Sequence, residues 1–274
     1  MGLLTQRIER SELVEGYHIY TWRTLFAYSH HGIYVGDSKV VHYTQQNSVS
    51  GEPILSSAPF KCSSASSANV GLGTEVSTTC SIPECVFQQK RSGVVLSCLN
   101  CFLGGGQLYR FEYGVNTSFL LTRIRGGTCT TAQSDPPEDV IHRALYLLQE
   151  GFGSYHAFMN NCEDFALYCK TGRVDQEAIG SSGQIASVVG APLAAIVSLP
   201  LKLFMSNPAG AVLTVGIYSL NRYANDLGVS SRVTEVKVEE LTSFRNRKSS
   251  KKTINENHSV TGEVTLNQTD TTTC

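Results

Sequence analysis

A thiol set behind a helix cap, and a group of histidines gathered in the first fifth of the chain, are the residues of this 274-residue sequence best suited to chemistry. Cys162 stands in the run HAFMNNCEDFALYCKTG, after Asn161 and before Glu163-Asp164. Asn161 caps a helix that begins at Cys162, and Asp164 at the third helical position completes an Asn/Asp version of the capping box. The thiol then lies in the first turn, where backbone N–H groups favour the thiolate, while Glu163 and Asp164 oppose it. A cysteine nucleophile needs an imidazole within reach and a polar group to orient that imidazole. His18, His30, His31, His42, His142 and His156 are the candidates. His142 falls inside a helix and His156 in the loop before Cys162, so both read as structural.

The elements that must position these groups are strands. Residues 17–22, 30–35 and 40–44 are short, aromatic and β-branched, and Gly36-Asp37-Ser38 punctuates the last two as a hairpin. Parity then decides which histidines share a face. A three-residue turn pairing Val35 with Lys39 puts His42 opposite Gly32, with His30 its diagonal neighbour at ~7–8 Å on the same face and His31 pointing away. A two-residue turn shifts the register and brings His42 to His31 instead. Gly32 opposite His42 would leave room above the strand, which favours the His30 arrangement.

Further along, Asp135-Pro136-Pro137-Glu138 starts a helix, with Asp135 as cap and Pro136 as its first residue. Val140, Ile141, Ala144, Leu145 and Leu148 form its apolar stripe and Gly151 ends it. In the helix from Cys162, Phe165, Ala166 and Cys169 face the core, Glu163 and Lys170 face water, and Gly172 closes it. A catalytic-looking unit thus spans 13–173, with a Cys- and Ser-rich insertion at 56–106. An apolar helical extension follows at 174–228. It includes 185–201, seventeen residues without a charge but broken by Pro192 and Pro200. That is short of the ~20 residues of a membrane span, so a hairpin packed on the domain or dipped into one face of a bilayer is expected. A short unassigned element at 229–243 precedes a tail, 244–274, whose lack of large apolar residues reads as disorder.

A net charge of -1 gives no electrostatic footprint for nucleic acid. Nine cysteines are too few for a disulfide-built miniprotein, and the charged N-terminus does not read as a secretory signal, so a reducing, cytoplasmic setting is expected. Cys80, Cys85, Cys98 and Cys101 are spaced so that four thiolates could close a structural zinc site, Cys98-Leu-Asn-Cys101 having the short spacing of a metal knuckle. Buried core thiols, an occasional disulfide or a redox pair at Cys98 and Cys101 are the other readings. If zinc binds, it staples the insertion and takes no part in catalysis.

SHHGIYVGDSKVVHYT and NCEDF together resemble the lecithin:retinol acyltransferase-like family, and most closely its plant members. The resemblance implies an α+β, circularly permuted papain-like domain with an antiparallel sheet and helices. It implies Cys162 as nucleophile, His30 as base and His42 as the residue orienting His30. It also implies acyl transfer or hydrolysis on a glycerophospholipid through a Cys162 thioester, with no cofactor required. Two positions depart from the family pattern: His31 stands where many relatives carry an aromatic, and Asp164 replaces the histidine of Asn-Cys-Glu-His-Phe. The membrane-attaching segments of relatives make peripheral association with an intracellular membrane the expectation for the apolar extension. Two rivals follow from the same residues: an adaptor that binds a protein partner through the domain and its cysteine-rich loop, and a thiol peptidase or amidase.

Overall fold

The computed structural model describes residues 6–23, 28–44, 85, 93–123, 126–153, 160–175, 216 and 219–244. Its centre is a six-stranded sheet built from β1 (Gln6–Arg7), β2 (His18–Arg23), β3 (Tyr28–Tyr34), β4 (Lys39–Tyr43), β5 (Val94–Cys98) and β6 (Tyr109–Arg110), in the order β1-β6-β2-β3-β4-β5. Every pairing is antiparallel. β3, which carries His30 and His31, is therefore an interior strand with neighbours on both sides.

The β3–β4 turn has three residues. Val35 N–H donates to the Lys39 carbonyl (3.0 Å), and Asp37 and Ser38 both take positive φ (47° and 57°). Gly32 consequently pairs with His42, Ile33 with Val41 and Tyr34 with Val40. The pleat puts His30, Gly32, Val40 and His42 on one face and His31, Ile33, Val41 and Tyr43 on the other. β5 extends the first face with Val95, opposite His42, and Ser97, opposite Val40.

Helices cover the faces unequally. The short α1 (Leu99–Leu103) leaves β5 directly and lays Phe102 over the His30 face, in a cluster with Ile8, Ile19, Val40, Leu99, Leu103 and Leu108. The space above Gly32 is thereby filled: a Cβ there would meet Val40 Cγ1 at 2.7 Å and the Phe102 ring at 3.0 Å. α3 (Pro137–Glu150) and α4 (Cys162–Thr171) serve the other face, where Phe165, Phe152 and Tyr43 form an aromatic group with centroid separations of 5.3–6.2 Å. α2 (Thr117–Thr122) is capped by the Asn116 side chain.

Three helix expectations are corrected. α3 starts one residue later than expected, because Pro136 is the cap and Pro137 the first helical residue; the Asp135 carboxylate instead takes Arg143 at 2.6 Å. The inward stripe of α3 uses Leu147, while Leu145 is exposed. On α4, Glu163 and Lys170 are buried and do not face water. The helix is enclosed on nearly all sides, and the Lys170 ammonium donates to the Gly16 carbonyl (2.9 Å) while lying 5.3 Å from the centre of the Tyr113 ring.

The stretch assigned to the insertion contributes β5 and α1 to the sheet and its cover. Beyond α4, β7 (Arg173–Asp175) pairs antiparallel with β8 (Val233–Glu235), so the chain returns at β8 to the place it left at β7. The apolar stretch 185–201, the tail from 245 onward, and His156 lie outside the described residues. Among the described residues no helix is long and apolar enough to cross a membrane.

Candidate active site

Asn161 caps α4 as its sequence implies. Its side-chain oxygen accepts from Glu163 N–H (2.8 Å) and Asp164 N–H (3.2 Å), and the Asp164 carboxylate accepts from Asn161 N–H (3.0 Å). Asp164 therefore acts as the closing half of the cap, with its charge one turn-step from the thiol.

The sulfur of Cys162 is seated on the backbone of β3. Along that strand the N–H and C=O groups of even-numbered residues face β2, as Tyr34 does with Tyr17 and Gly16, and those of odd-numbered residues face β4, as Val35 does with Lys39. The β3–β4 ladder ends at Gly32 and His42. The next groups pointing that way are the His31 N–H and the Ser29 carbonyl, and both meet the sulfur: Sγ lies 3.8 Å from the Ser29 oxygen, and His31 N–H donates toward it. His30 is thus the residue between the two that hold the thiol.

The first face carries a hydrogen-bonded chain away from that point. His30 Nε2 lies 2.9 Å from His42 Nδ1, and His42 Nε2 lies 2.9 Å from Ser97 Oγ. The Phe102 ring packs on both imidazoles, with centroids 5.3 Å from His30 and 5.5 Å from His42. Arg23 is anchored beside them by the carbonyls of Phe102 (2.5 Å) and Leu103 (2.9 Å). The three-residue turn thus places His30 with His42, and the alternative with His31 is not realised.

The second face carries a parallel chain. His31 Nε2 lies 2.8 Å from Ser29 Oγ, His31 Nδ1 2.8 Å from His18 Nε2, and His18 Nδ1 2.8 Å from Tyr113 Oη. His142 is exposed on α3.

Burial sets the charge states. The Cys162 thiol is pushed up to about 12, chiefly by burial, with Glu163 and Asp164 adding to the rise and the His31 and Cys162 N–H groups opposing it. The first-turn effect expected to favour the thiolate is outweighed by desolvation. Burial also holds His30 well below the ordinary imidazole range, helped by His42 and Arg23, and pushes His42 down to about 3. At neutral pH the Cys162 thiol and the His30 and His42 imidazoles therefore all rest neutral.

Ser97 is the site residue that sequence reasoning missed. The signal was present: in Val94–Cys98 a lone hydroxyl interrupts an otherwise apolar inward row. At the end of the same strand, the sulfurs of Cys85, Cys98 and Cys101 lie within 4.8 Å of one another. Cys98 Sγ accepts from Cys101 N–H (3.4 Å) and Cys85 Sγ from Cys98 N–H (3.2 Å). Cys80, the fourth expected ligand, lies outside the described residues.

The model of the family described as lecithin retinol acyltransferase matches residues 11–175. The chain is 49% identical over 245 residues to Protein LEAD-SENSITIVE 1 of Arabidopsis thaliana, a match covering 88% of this chain and 91% of that protein. No solved structure matches it. With β3, β4 and the start of α4 all inside the matched span, this chain belongs to the lecithin retinol acyltransferase family.

Proposed function

We propose that the protein transfers or hydrolyses an acyl group of a glycerophospholipid through a thioester on Cys162, with His30 as base and His42 as its orienting partner. The observation that carries this reading is the seating of the Cys162 sulfur on the two backbone groups that flank His30, together with the chain from His30 through His42 to Ser97. The histidine strands precede the cysteine helix in the chain, and we read this order as a circularly permuted papain-like arrangement.

The tautomers follow from the roles. For His30 to take the thiol proton at Nδ1, its own proton must be on Nε2 and be donated to His42 Nδ1; His42 then carries its proton on Nε2 and donates to Ser97 Oγ. Because thiol and imidazole both rest neutral, proton transfer accompanies attack and no thiolate–imidazolium pair waits for substrate. The sulfur adds to the ester carbonyl, the proton held on His30 passes to the departing lysolipid oxygen, and the acyl group stays on Cys162 as a thioester. In this reading the Cys162 N–H, at the helix start, stabilises the oxyanion. Water, an amine or another hydroxyl then attacks with His30 again as base, restoring the thiol.

Membrane association is part of the proposal. The apolar stretch falls in the chain between β7 and β8, and that connection leaves and rejoins the domain at one place. In this reading a segment so connected dips into one face of a bilayer without crossing it. The cysteine cluster enters only as a structural zinc site, and the proposed chemistry needs no metal.

The test uses vesicles of phospholipid labelled in the acyl chain. The expected result is a hydroxylamine-sensitive adduct on the full-length protein that is lost in Cys162→Ala. Absence of any adduct on the wild-type chain with membrane-presented substrate would overturn the proposal.

A further inference from the structure

We infer that Arg23 binds the phosphate of the lipid at this site, so that the site takes glycerides bearing a phosphodiester in preference to neutral ones. The inference rests on the acyl-transfer reading for the ester end of the same lipid.

The register of β2 on β3 sets Arg23 there. Thr21 pairs with His30 and Arg23 with Tyr28, so the pleat turns all four side chains to one face. Arg23 is the diagonal neighbour of His30, at ~7–8 Å between backbone positions. The Cys162 sulfur meets β3 on its other flank, at the Ser29 carbonyl on the β4 side. His30 therefore stands between a thiol and a guanidinium.

That guanidinium is fixed but not used up. Its terminal nitrogens donate to the carbonyls of Leu103 (2.9 Å) and Phe102 (2.5 Å) at the end of α1, and a Cβ on Gly104 would strike Nη1. An arginine has five N–H donors, so three remain. Among the described residues no carboxylate pairs with Arg23, and its side chain is partly exposed. The charge is close enough to bear on His30 and His42, and Tyr28 and Cys162 bear on it in turn. A cation held by backbone oxygens, not cancelled by an acid and open to solvent suits an oxyanion with several acceptors. A glycerophospholipid carries such a group a few bonds from its esters. With an ester carbonyl at the sulfur, the phosphate falls across His30 on the side of Arg23. A neutral glyceride brings nothing there to meet the charge.

The experiment reads binding and needs no turnover. Isothermal titration calorimetry on the full-length protein uses a short-chain dialkyl glycerophosphocholine, which has ethers and no ester to cleave, the matching dialkyl glycerol without phosphate, and inorganic phosphate. The expected result is tighter binding of the ether phospholipid than of the ether glycerol. Arg23→Gln should weaken the phospholipid about 10–100-fold and leave the ether glycerol as it was. Arg23→Lys, which keeps the charge and loses the planar fork, should show a smaller loss of the same selective kind, and it carries the test if Arg23→Gln does not fold. Equal affinities for the two ethers in the wild type would overturn the inference. So would an equal loss of both in the variants, which is what a residue that only caps α1 would give. Displacement of the ether phospholipid by an equal concentration of inorganic phosphate would assign the site to a free anion and overturn it as well. Selective binding without any adduct from the ester phospholipid refutes the acyl-transfer proposal alone, whereas adduct formation without headgroup selectivity refutes this inference alone.

Discussion

β3 holds two histidine pairs, one on each face, and they are nearly the same object chemically. His30–His42 and His31–His18 are each joined nitrogen to nitrogen at 2.8–2.9 Å, and each ends at one side on a serine hydroxyl. Burial depresses all four imidazoles. They differ in what surrounds them. His31 and His18 are sealed among Tyr20, Phe111 and Tyr113, with His18 stacked on Phe111 at 4.4 Å, and their chain ends on a phenol. His30 is 9% exposed where His31, His18 and His42 are 1% or less, and it lies between the backbone groups that touch the sulfur. Identical residue pairs thus become a core network or a candidate reaction relay according to which side of one strand they occupy.

Exchanging which pair is damaged should separate the two most sharply. His30→Ala is expected to slow adduct formation by the folded protein ~10²–10⁴-fold, over and above the stability it loses by leaving His42 without its partner. His31→Ala should instead cost about 2–4 kcal/mol of stability, because it leaves His18 without its partner and opens a cavity, while the folded fraction still acylates. Single-turnover kinetics and urea titration on both variants check this. Comparable rate losses in the two would erase the distinction.

Ser97→Ala probes the far end of the relay. A buried His42 N–H left without its acceptor costs about 1–3 kcal/mol, so adduct formation should fall roughly 10–100-fold with substrate affinity retained. An unchanged rate would remove Ser97 from the site.

Acid should act on both pairs together. An imidazole whose folded value lies below the ordinary ~6.5 is less protonated in the native state, so the unfolded chain binds more protons and stability falls as pH falls. The full contribution is present above about 6.5 and is lost toward about 3, the value to which His31 and His42 are pushed. Denaturant midpoints measured across that window should drop with a slope of more than one proton. A flat response would contradict neutral burial of the rings.

The smallest effect belongs to Asp164. Its carboxylate raises the thiol value after burial and Glu163, yet an amide oxygen can close the same cap. Asp164→Asn should therefore lower the midpoint of Cys162 alkylation by about half a unit and leave stability nearly unchanged. An unmoved midpoint would take Asp164 out of the control of the thiol.

How far the sequence could be read follows from the range of each interaction. The hairpin pairing His30 with His42 was accessible because a three-residue turn and a period of two determine it locally. Its caps were readable for the same reason, apart from the choice between two successive prolines at the start of α3. The lone hydroxyl of Ser97 stands out in its strand, but its partner could not be read, since β5 joins β4 across a separation of 55 residues from His42 and no local pattern reports that pairing. Nor could the His31–His18 link, which depends on the register of β2 against β3. The enclosure of Glu163 and Lys170 escaped because an amphipathic reading assumes one solvated side, and α4 has almost none.

Main-chain atoms hold the thiol at positions 29 and 31, and every residue except proline supplies them alike. The side chains there can diversify without displacing the sulfur, so a histidine at 31 is compatible with the seat. Evolution can therefore rewrite the interior around residue 31 while leaving the nucleophile's address intact, and only a proline at 31 or a slip of the hairpin would revoke it.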